Sequence, residues 1–418
     1  MTNKGLDIMS SNIEAASDTE SLHPSDETIA ITKSLLAFPT ISRNSNLDLI
    51  EWVRDRLLAL GVKSRLTYDS TKKKANLFAT LGENRKPGII LSGHTDVVPV
   101  DGQEWSSDPF EAAIRDGRIY GRGAADMKSF IAVALASARE FLEAENGSAW
   151  HFAFSYDEEV GCLGVKELIA DLHDIGLKPA ACIVGEPTMM QPVLAHKGMG
   201  MYRCHVRGRE AHSSLTPLGV NSIEYAARLI VFIRQIADRM AQLESRNYDF
   251  SVPYTTMQTG VIKGGIAANT VPKDCQFDFE VRSSPNAESD AIYDEIKAFS
   301  ESLAREMHMV SPDAGIQLQR LFSVPGLLID SSDPLVQLVS SLTQKQTYGA
   351  VSYGTEAGLF QNAGIPTLIC GPGDIEQAHR PDEYIELEQL ARCEIFMKRL
   401  IASGGRMENN SASRHSST

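Results

Sequence analysis

Six acidic and imidazole side chains fall where a sheet-based active site is built. His94-Thr95-Asp96 follows the apolar run 88–92, and Glu158-Glu159 follows the run 151–156. Glu186 follows the run 181–184, and His379 comes after the run that ends at Cys370. Each run is short, apolar and rich in β-branched or aromatic residues, the pattern of a strand buried on both faces. In an open α/β sheet, ligands bind in the crevice beyond the carboxyl ends of the strands. Four such ends each deliver a His or Glu, and that recurrence points to one site. Residues i and i+2 of an extended chain face the same way, so His94 and Asp96 either share a target or Asp96 orients the His94 ring.

The residue types suit divalent cations. Two imidazoles and three carboxylates, one of them shared, supply three protein ligands to each of two ions. Mixed N/O ligation without thiolate favours Zn²⁺, with Co²⁺ or Mn²⁺ as substitutes. A carboxylate left over is then free to move a proton. Asp126, in Gly121-Arg122-Gly123-Ala124-Ala125-Asp126-Met127-Lys128, stands at the start of a helical pattern, where an N-cap role is the plain alternative. These glycines do not spell a dinucleotide fingerprint. His212, in the turn Gly208-Arg209-Glu210-Ala211-His212-Ser213, is a further candidate. His151, His173, His205 and His308 lack a partner motif and read as surface or core imidazoles.

The elements that position these groups alternate between strands and helices. Helical patterns cover 28–37, 47–60 and 126–146, the last closed by Gly147. With the strand runs they predict an α/β fold: a catalytic domain with a mixed, mainly parallel sheet. The middle of the chain differs. Residues 199–206 alternate like a half-exposed strand, 220–243 is a long helix, 260–263 and 275–282 are strands, and 289–307 is helical. This βαββα order predicts an inserted α+β lid or dimerisation domain. The expected division is a tail at 1–27, a catalytic domain over 28–195 and 326–402, an inserted domain over 196–325, and a second tail at 403–418. Hinges are expected near 196–198 and 320–330.

Composition narrows the class. Forty Lys+Arg against fifty-four Asp+Glu give a net charge of −14 over 418 residues, the wrong sign for a nucleic-acid partner. No apolar run nears the ~20 residues of a membrane span, so no membrane partner is expected. The polar N-terminal stretch lacks the pattern of a signal peptide. Six cysteines without C-x-x-C spacing read as reduced thiols in a cytoplasmic protein.

Three stretches are specific together: Ser92-Gly93-His94-Thr95-Asp96-Val97-Val98-Pro99, Tyr120 to Lys128, and Asp157-Glu158-Glu159-Val160-Gly161. Over about residues 28–400 the chain resembles the zinc-dependent metallopeptidase and deacylase family that includes the desuccinylases, aminoacylases and glutamate carboxypeptidases. The resemblance implies that Asp126 bridges two metals. It implies that His94 and Glu186 complete one ligand set, and Glu159 and His379 the other. Asp96 would orient His94, and Glu158 would be general base and acid toward a water between the metals. A cis peptide after Asp126 is implied too. The inserted domain would form a homodimer in which His212 reaches the other subunit's site as an oxyanion donor. Asn269 and Arg282 would hold the substrate carboxylate. Gly354-Thr355-Glu356 matches a loop beside the site, where relatives often carry Thr-Ser-Asp, and Glu356 is expected to select a cationic side chain. The stretch Gly371 to Tyr384 is most similar to the family's deacetylases. It implies removal of acetyl from N²-acetyl-L-ornithine, in arginine biosynthesis. Alternatives are another N-acyl amino acid, a dinuclear peptidase, or a metal-binding regulator without catalysis; the last conflicts with the presence of Glu158 and all five ligands.

Overall fold

The computed structural model describes residues 22–407 except 83–86, 145–147, 288 and 346–348. The expected tails therefore fall largely outside the described residues, as does the helix stop at Gly147. From residue 26 the first tail's end is already helix: Asp26–Leu36 is capped by the Ser25 side chain, which accepts from the Thr28 N–H.

Nine described strands make one mixed sheet. Along it run Ser64–Tyr68, Ala75–Gly82, Ala149–Ser155, Ile89–His94, Ala181–Val184, Thr367–Ile369, Val193–His196 and Leu327–Leu328, with Gly349–Val351 beside Val193–His196. Ile89–His94 lies parallel to both Ala149–Ser155 and Ala181–Val184, and Thr367–Ile369 is parallel to Ala181–Val184. These are the strands that end at the candidate residues. Every residue of Ile89–His94 and of Ala149–Ser155 is buried, as continuous apolar strands require when helices cover both faces. The alternation is visible in the packing. Ile89 and Leu91 join one core with helices Asp26–Leu36, Lys128–Ala136 and Leu387–Ser403. Ile90 joins the other, with Leu163–Asp174 and Ala357–Asn362.

A second sheet carries its own core. Thr256–Gly264, Asp274–Ser283, Gly198–Arg207 and Gly315–Val324 pair antiparallel in that order. Helices Ser222–Leu243 and Ser289–His308 belong to the same unit, whose core holds Tyr202, Phe277, Phe279, Leu229 and Leu303. The chain leaves the large sheet at Lys197 and returns through Pro325-Gly326, between the strands on either side.

Three features depart from the sequence reading. The expected helix 126–146 starts at Lys128 and divides at Ser137 into Lys128–Ala136 and Ala138–Glu143. Asp126 is therefore not an N-cap, and the Asp126–Met127 peptide is cis. Gly315–Val324 extends the expected βαββα order by a strand and occupies part of the expected hinge near 320–330. Its mixture of Gln, Arg and apolar residues hides a half-buried strand. Third, Ala113–Arg115, Arg118–Tyr120 and Tyr384–Glu386 make a small sheet that straps the segment after His379 against the segment before Asp126.

Candidate dinuclear metal centre

These six residues and Asp126 converge beyond the carboxyl ends of the parallel strands. His94 Nε2 lies 2.9 Å from Asp126 Oδ1 and 3.9 Å from Glu186 Oε1. His379 Nε2 lies 3.1 Å from Glu159 Oε2 and 3.4 Å from Asp126 Oδ2. Two triads result, His94–Asp126–Glu186 and Asp126–Glu159–His379, each with ligand atoms within 4.8 Å of one another. Asp126 offers one oxygen to each triad, the geometry of a shared ligand. Glu158, Glu159, Glu186, Asp126 and His379 line one open cavity of about 210 Å³. The donor set is nitrogen and carboxylate oxygen only, so the residues fit two divalent cations of the zinc type.

Crowding sets the charges. Burial and the neighbouring Asp126 hold Glu159 up at about 7. Burial, reinforced by Glu159 and Asp126, pushes Glu158 well above the usual carboxylate range. Burial beside Asp126 does the same to Glu186. His379, which is half-exposed, is raised to about 10 by its bonds to Asp126 and Glu159. For His94, burial opposes the charge, but bonding to Asp126 and Asp96 wins and the net direction is up. Asp126 goes down: burial works against its charge and the two imidazoles outweigh it. Four carboxylates in one cavity repel one another, so positive charge must be held among them.

Asp96 has two sets of contacts. His94 Nδ1 lies 2.9 Å from the Asp96 main-chain carbonyl and 3.6 Å from its carboxylate. The carbonyl therefore orients the ring. The carboxylate holds the next strand end: Oδ1 accepts from the Glu158 N–H at 3.0 Å and Oδ2 from the Glu159 N–H at 3.3 Å. The Ser42 hydroxyl also donates to Oδ2, at 2.7 Å. One residue thus sets both a metal-ligand ring and the backbone of the general-base candidate.

Glu383 is the positioning residue that sequence reasoning left without a role. It is buried, and its carboxylate accepts from the N–H groups of Gly123 (3.1 Å), Ala125 (2.8 Å) and Asp126 (3.0 Å). The Arg122 guanidinium donates to it at 2.7 Å. Arg122 also donates to Gln103, whose amide donates to the His379 carbonyl at 2.8 Å. The shared aspartate and the distal histidine are thereby fixed by one network. An acid four residues after His379, within the same quoted motif, was the only signal for it.

The substrate candidates divide. Gly354 lines the cavity and Thr355 is buried behind it. Glu356 does not face a substrate: it is 0% exposed, and its oxygens accept from Ser92 at 2.6 Å and Ser155 at 2.7 Å. The expected selection of a cationic side chain by Glu356 is corrected on that geometry, since a carboxylate enclosed beneath the strand ends meets no ligand. His212 and Asn269 are exposed neighbours on the small unit, joined through the Ser213 N–H and the Asn269 carbonyl at 3.1 Å. Arg282 is engaged by Glu280 at 2.6 Å. None of these three lines the cavity.

Two outcomes follow from these contacts. Glu383→Gln removes a buried charge partner of Arg122 and acceptors of the Asp126 loop. Its zinc affinity, read by calorimetry, should fall about 10–100-fold, as for other residues that orient metal ligands; unchanged affinity would contradict the assignment. The pH response has a definite sign. Glu158, Glu159, Glu186, His94 and His379 all bind protons more tightly when folded, so the metal-free protein loses stability as pH rises. The window runs from the ordinary 4.5 of Glu159 through its raised 7, and on to the 10 of His379. Asp126, shifted down, costs stability only as pH falls past its ordinary 3.8. The Tm of chelated protein should therefore drop between about pH 5 and 9, and zinc should flatten that fall because ligation needs deprotonated groups.

Residues 90–403 match the model of Peptidase family M20/M25/M40. An acetylornithine deacetylase of Pasteurella multocida is 34% identical over 88% of this chain and 95% of its own length. One of Edwardsiella ictaluri is 32% identical over 89% and 96%. Among solved structures, an M20 metallo-carboxypeptidase of Sulfolobus solfataricus superposes with a TM-score of 0.71 at 19% identity, covering 90% of this chain and 99% of that one. An aminopeptidase of Bacillus cereus gives 0.68 at 21%, covering 92% and 100%. The double triad around Asp126, the strand-end placement of its ligands and these matches have one reading: the chain belongs to the M20/M25/M40 peptidase family and is a hydrolase of amides.

Proposed function

We propose that the protein removes the acetyl group from N²-acetyl-L-ornithine, giving acetate and L-ornithine for arginine biosynthesis in the cytoplasm. The observation that carries the chemistry is Glu158 on the wall of the cavity that holds both triads. Curated relatives named for that deacetylation, similar along nearly the whole chain, support the substrate. His94, Asp126 and Glu186 would hold one Zn²⁺, and Asp126, Glu159 and His379 the other. When bound, the ions polarise the acyl carbonyl and acidify water. Glu158 takes the proton of the attacking water and delivers it to the departing amine nitrogen. Burial pushes the Glu158 carboxyl well above the usual carboxylate range, so it takes and holds a proton more readily than an exposed acid would. Six buried free cysteines and the lack of any described helix long and apolar enough to cross a membrane agree with the proposed compartment.

The small unit would add what the cavity wall lacks. Thr256–Gly264 is an edge strand whose Val261 and Ile262 are exposed, and Ile266 beyond it is 89% exposed. An apolar edge of this kind supports a homodimer. His212 of one copy would then serve the other's cavity as an oxyanion donor. Asn269 and Arg282 would reach the substrate carboxylate once the small unit swings inward, with Arg282 exchanging Glu280 for the ligand.

The deciding experiment is hydrolysis by the zinc-loaded enzyme of acetylornithine, acetylmethionine, acetylcitrulline, succinyl-diaminopimelate and a peptide panel. Acetylornithine should dominate, and Glu158→Ala should lose about 10²–10⁴ in kcat with zinc content unchanged. Preference for another acyl amino acid would move the substrate, and turnover of peptides alone would overturn the deacetylase reading. Solution scattering should show a smaller radius of gyration with ornithine and acetate bound; no compaction would exclude the inward swing.

A further inference from the structure

The loop between strand Gly349–Val351 and helix Ala357–Asn362 is clamped at its far end. Glu356, buried beneath the site, takes one hydroxyl from each of two strands, Ser92 and Ser155. Ser92 lies two residues before His94, and Ser155 three before Glu158. The Thr355 hydroxyl oxygen accepts from the Ala357 N–H at 3.0 Å. Ahead of them, a Cβ on Gly354 would come within 3.1 Å of the Met199 side chain and 3.3 Å of the Lys197 carbonyl. The backbone there has little room to move. What this clamp presents is Tyr353, which lines the cavity beside Asp126, Glu158, Glu186 and His379.

The Tyr353 hydroxyl is shielded from solvent and has no hydrogen-bond partner among the described residues. A buried hydroxyl left unpaired costs about 1–3 kcal/mol, so one on the wall of a site calls for a partner that binds there. The charged groups that act on it are Glu186, Asp126 and Asp374, all acidic. Burial beside those carboxylates keeps the phenol protonated, so it is a donor. Every other polar side chain on the cavity wall is a carboxylate or His379, committed to metal ligation or to proton transfer. Tyr353 is the neutral donor among them.

We propose that Tyr353 is a catalytic residue of this amide hydrolase: its hydroxyl donates a hydrogen bond to the acyl oxygen as that oxygen gains negative charge on attack by water. The inference rests on the amide-hydrolase reading of the site and deepens it. It assigns an oxyanion donor within the subunit that holds the ligands, independent of His212. No proton changes owner in this step; Glu158 still carries the transfer.

Tyr353→Phe removes only the O–H, and because that group has no protein partner to lose, Tm is expected to hold. The zinc-loaded variant should lose about 10²-fold in kcat on acetylornithine, the range for one oxyanion donor, with KM changed less than about threefold. Butaneboronic acid adds hydroxide to become tetrahedral, and its Kd measured by calorimetry should weaken about tenfold or more in the variant. Zinc affinity, titrated in parallel, should not change. The boronate readout separates this inference from the substrate assignment. Failure of the wild type on acetylornithine with the boronate effect intact would move the substrate and leave Tyr353 in place. Equal boronate affinity in the two proteins, or no binding to the zinc-loaded wild type, would overturn the inference. So would weakened zinc binding with activity restored by excess zinc, because Tyr353 would then act by holding Glu186.

Discussion

One carboxylate has to face two imidazoles at once. Asp126 gives Oδ1 to His94 and Oδ2 to His379, and those histidines come from chain segments 285 residues apart. A side chain with one free torsion too many would satisfy one partner and lose the other. The backbone around Asp126 is therefore over-determined. Glu383 takes the N–H groups of Gly123, Ala125 and Asp126, and the helix that follows begins at Lys128, whose ammonium is buried and donates to the Leu35 and Phe38 carbonyls.

The same constraint explains the buried charge around the site. Carboxylates gathered to bind cations repel one another in a low-dielectric crevice, so each must be held by something other than the cation. Asp96 is tied to Ser42 and to the backbone of the Glu158–Glu159 corner, Glu383 to Arg122 and to main-chain N–H groups, Glu356 to two serines. Breaking such a contact from one side leaves a buried charge without its partner. Glu158 has a weak partner: the Cys162 thiol donates to it at 3.3 Å.

Four residues of the two triads, His94, Glu159, Glu186 and His379, were legible in the sequence because each follows a strand whose apolar run marks itself, whereas Asp126 follows no such run and was singled out by the family resemblance. The sheet's parallel order then brings those ends together without further information. Glu383, Glu356 and Tyr353 were not legible in the same way. Glu383 bonds to N–H groups 257 to 260 residues away, and Glu356 to serines 201 and 264 residues away. Nothing local distinguishes such an acid from one in solvent. Asp96 shows the intermediate case: its spacing from His94 was right, but which of its oxygens meets the ring depends on where the neighbouring strand ends. The strand Gly315–Val324 was missed for a related reason, since its half-buried pattern of Gln and Arg is set by its place at the sheet's edge, beside Gly198–Arg207.

The position of Glu356 also bears on how the enzyme chooses a substrate. An acid in the loop beside the site invites the idea that it greets a cationic side chain. Enclosed between Ser92 and Ser155, it instead ties the loop to the two strands that carry His94 and Glu158, and so transmits their position to Tyr353 and Gly354. Selection must then come from groups that do touch the cavity. On the large unit, apart from the triad residues and Glu158, these are Tyr353, Gly354, Ile375 and Ala378, which are small, apolar or neutral. They can shape an acyl pocket but cannot pair a charged amino-acid end. In the proposed reading, recognition of the amino-acid end falls to the small unit, whose Asn269 amide and Arg282 guanidinium lie off the cavity wall. On that proposal the work is divided: the large sheet places the two triads and Glu158, and recognition of the amino-acid end would depend on bringing a second surface onto them.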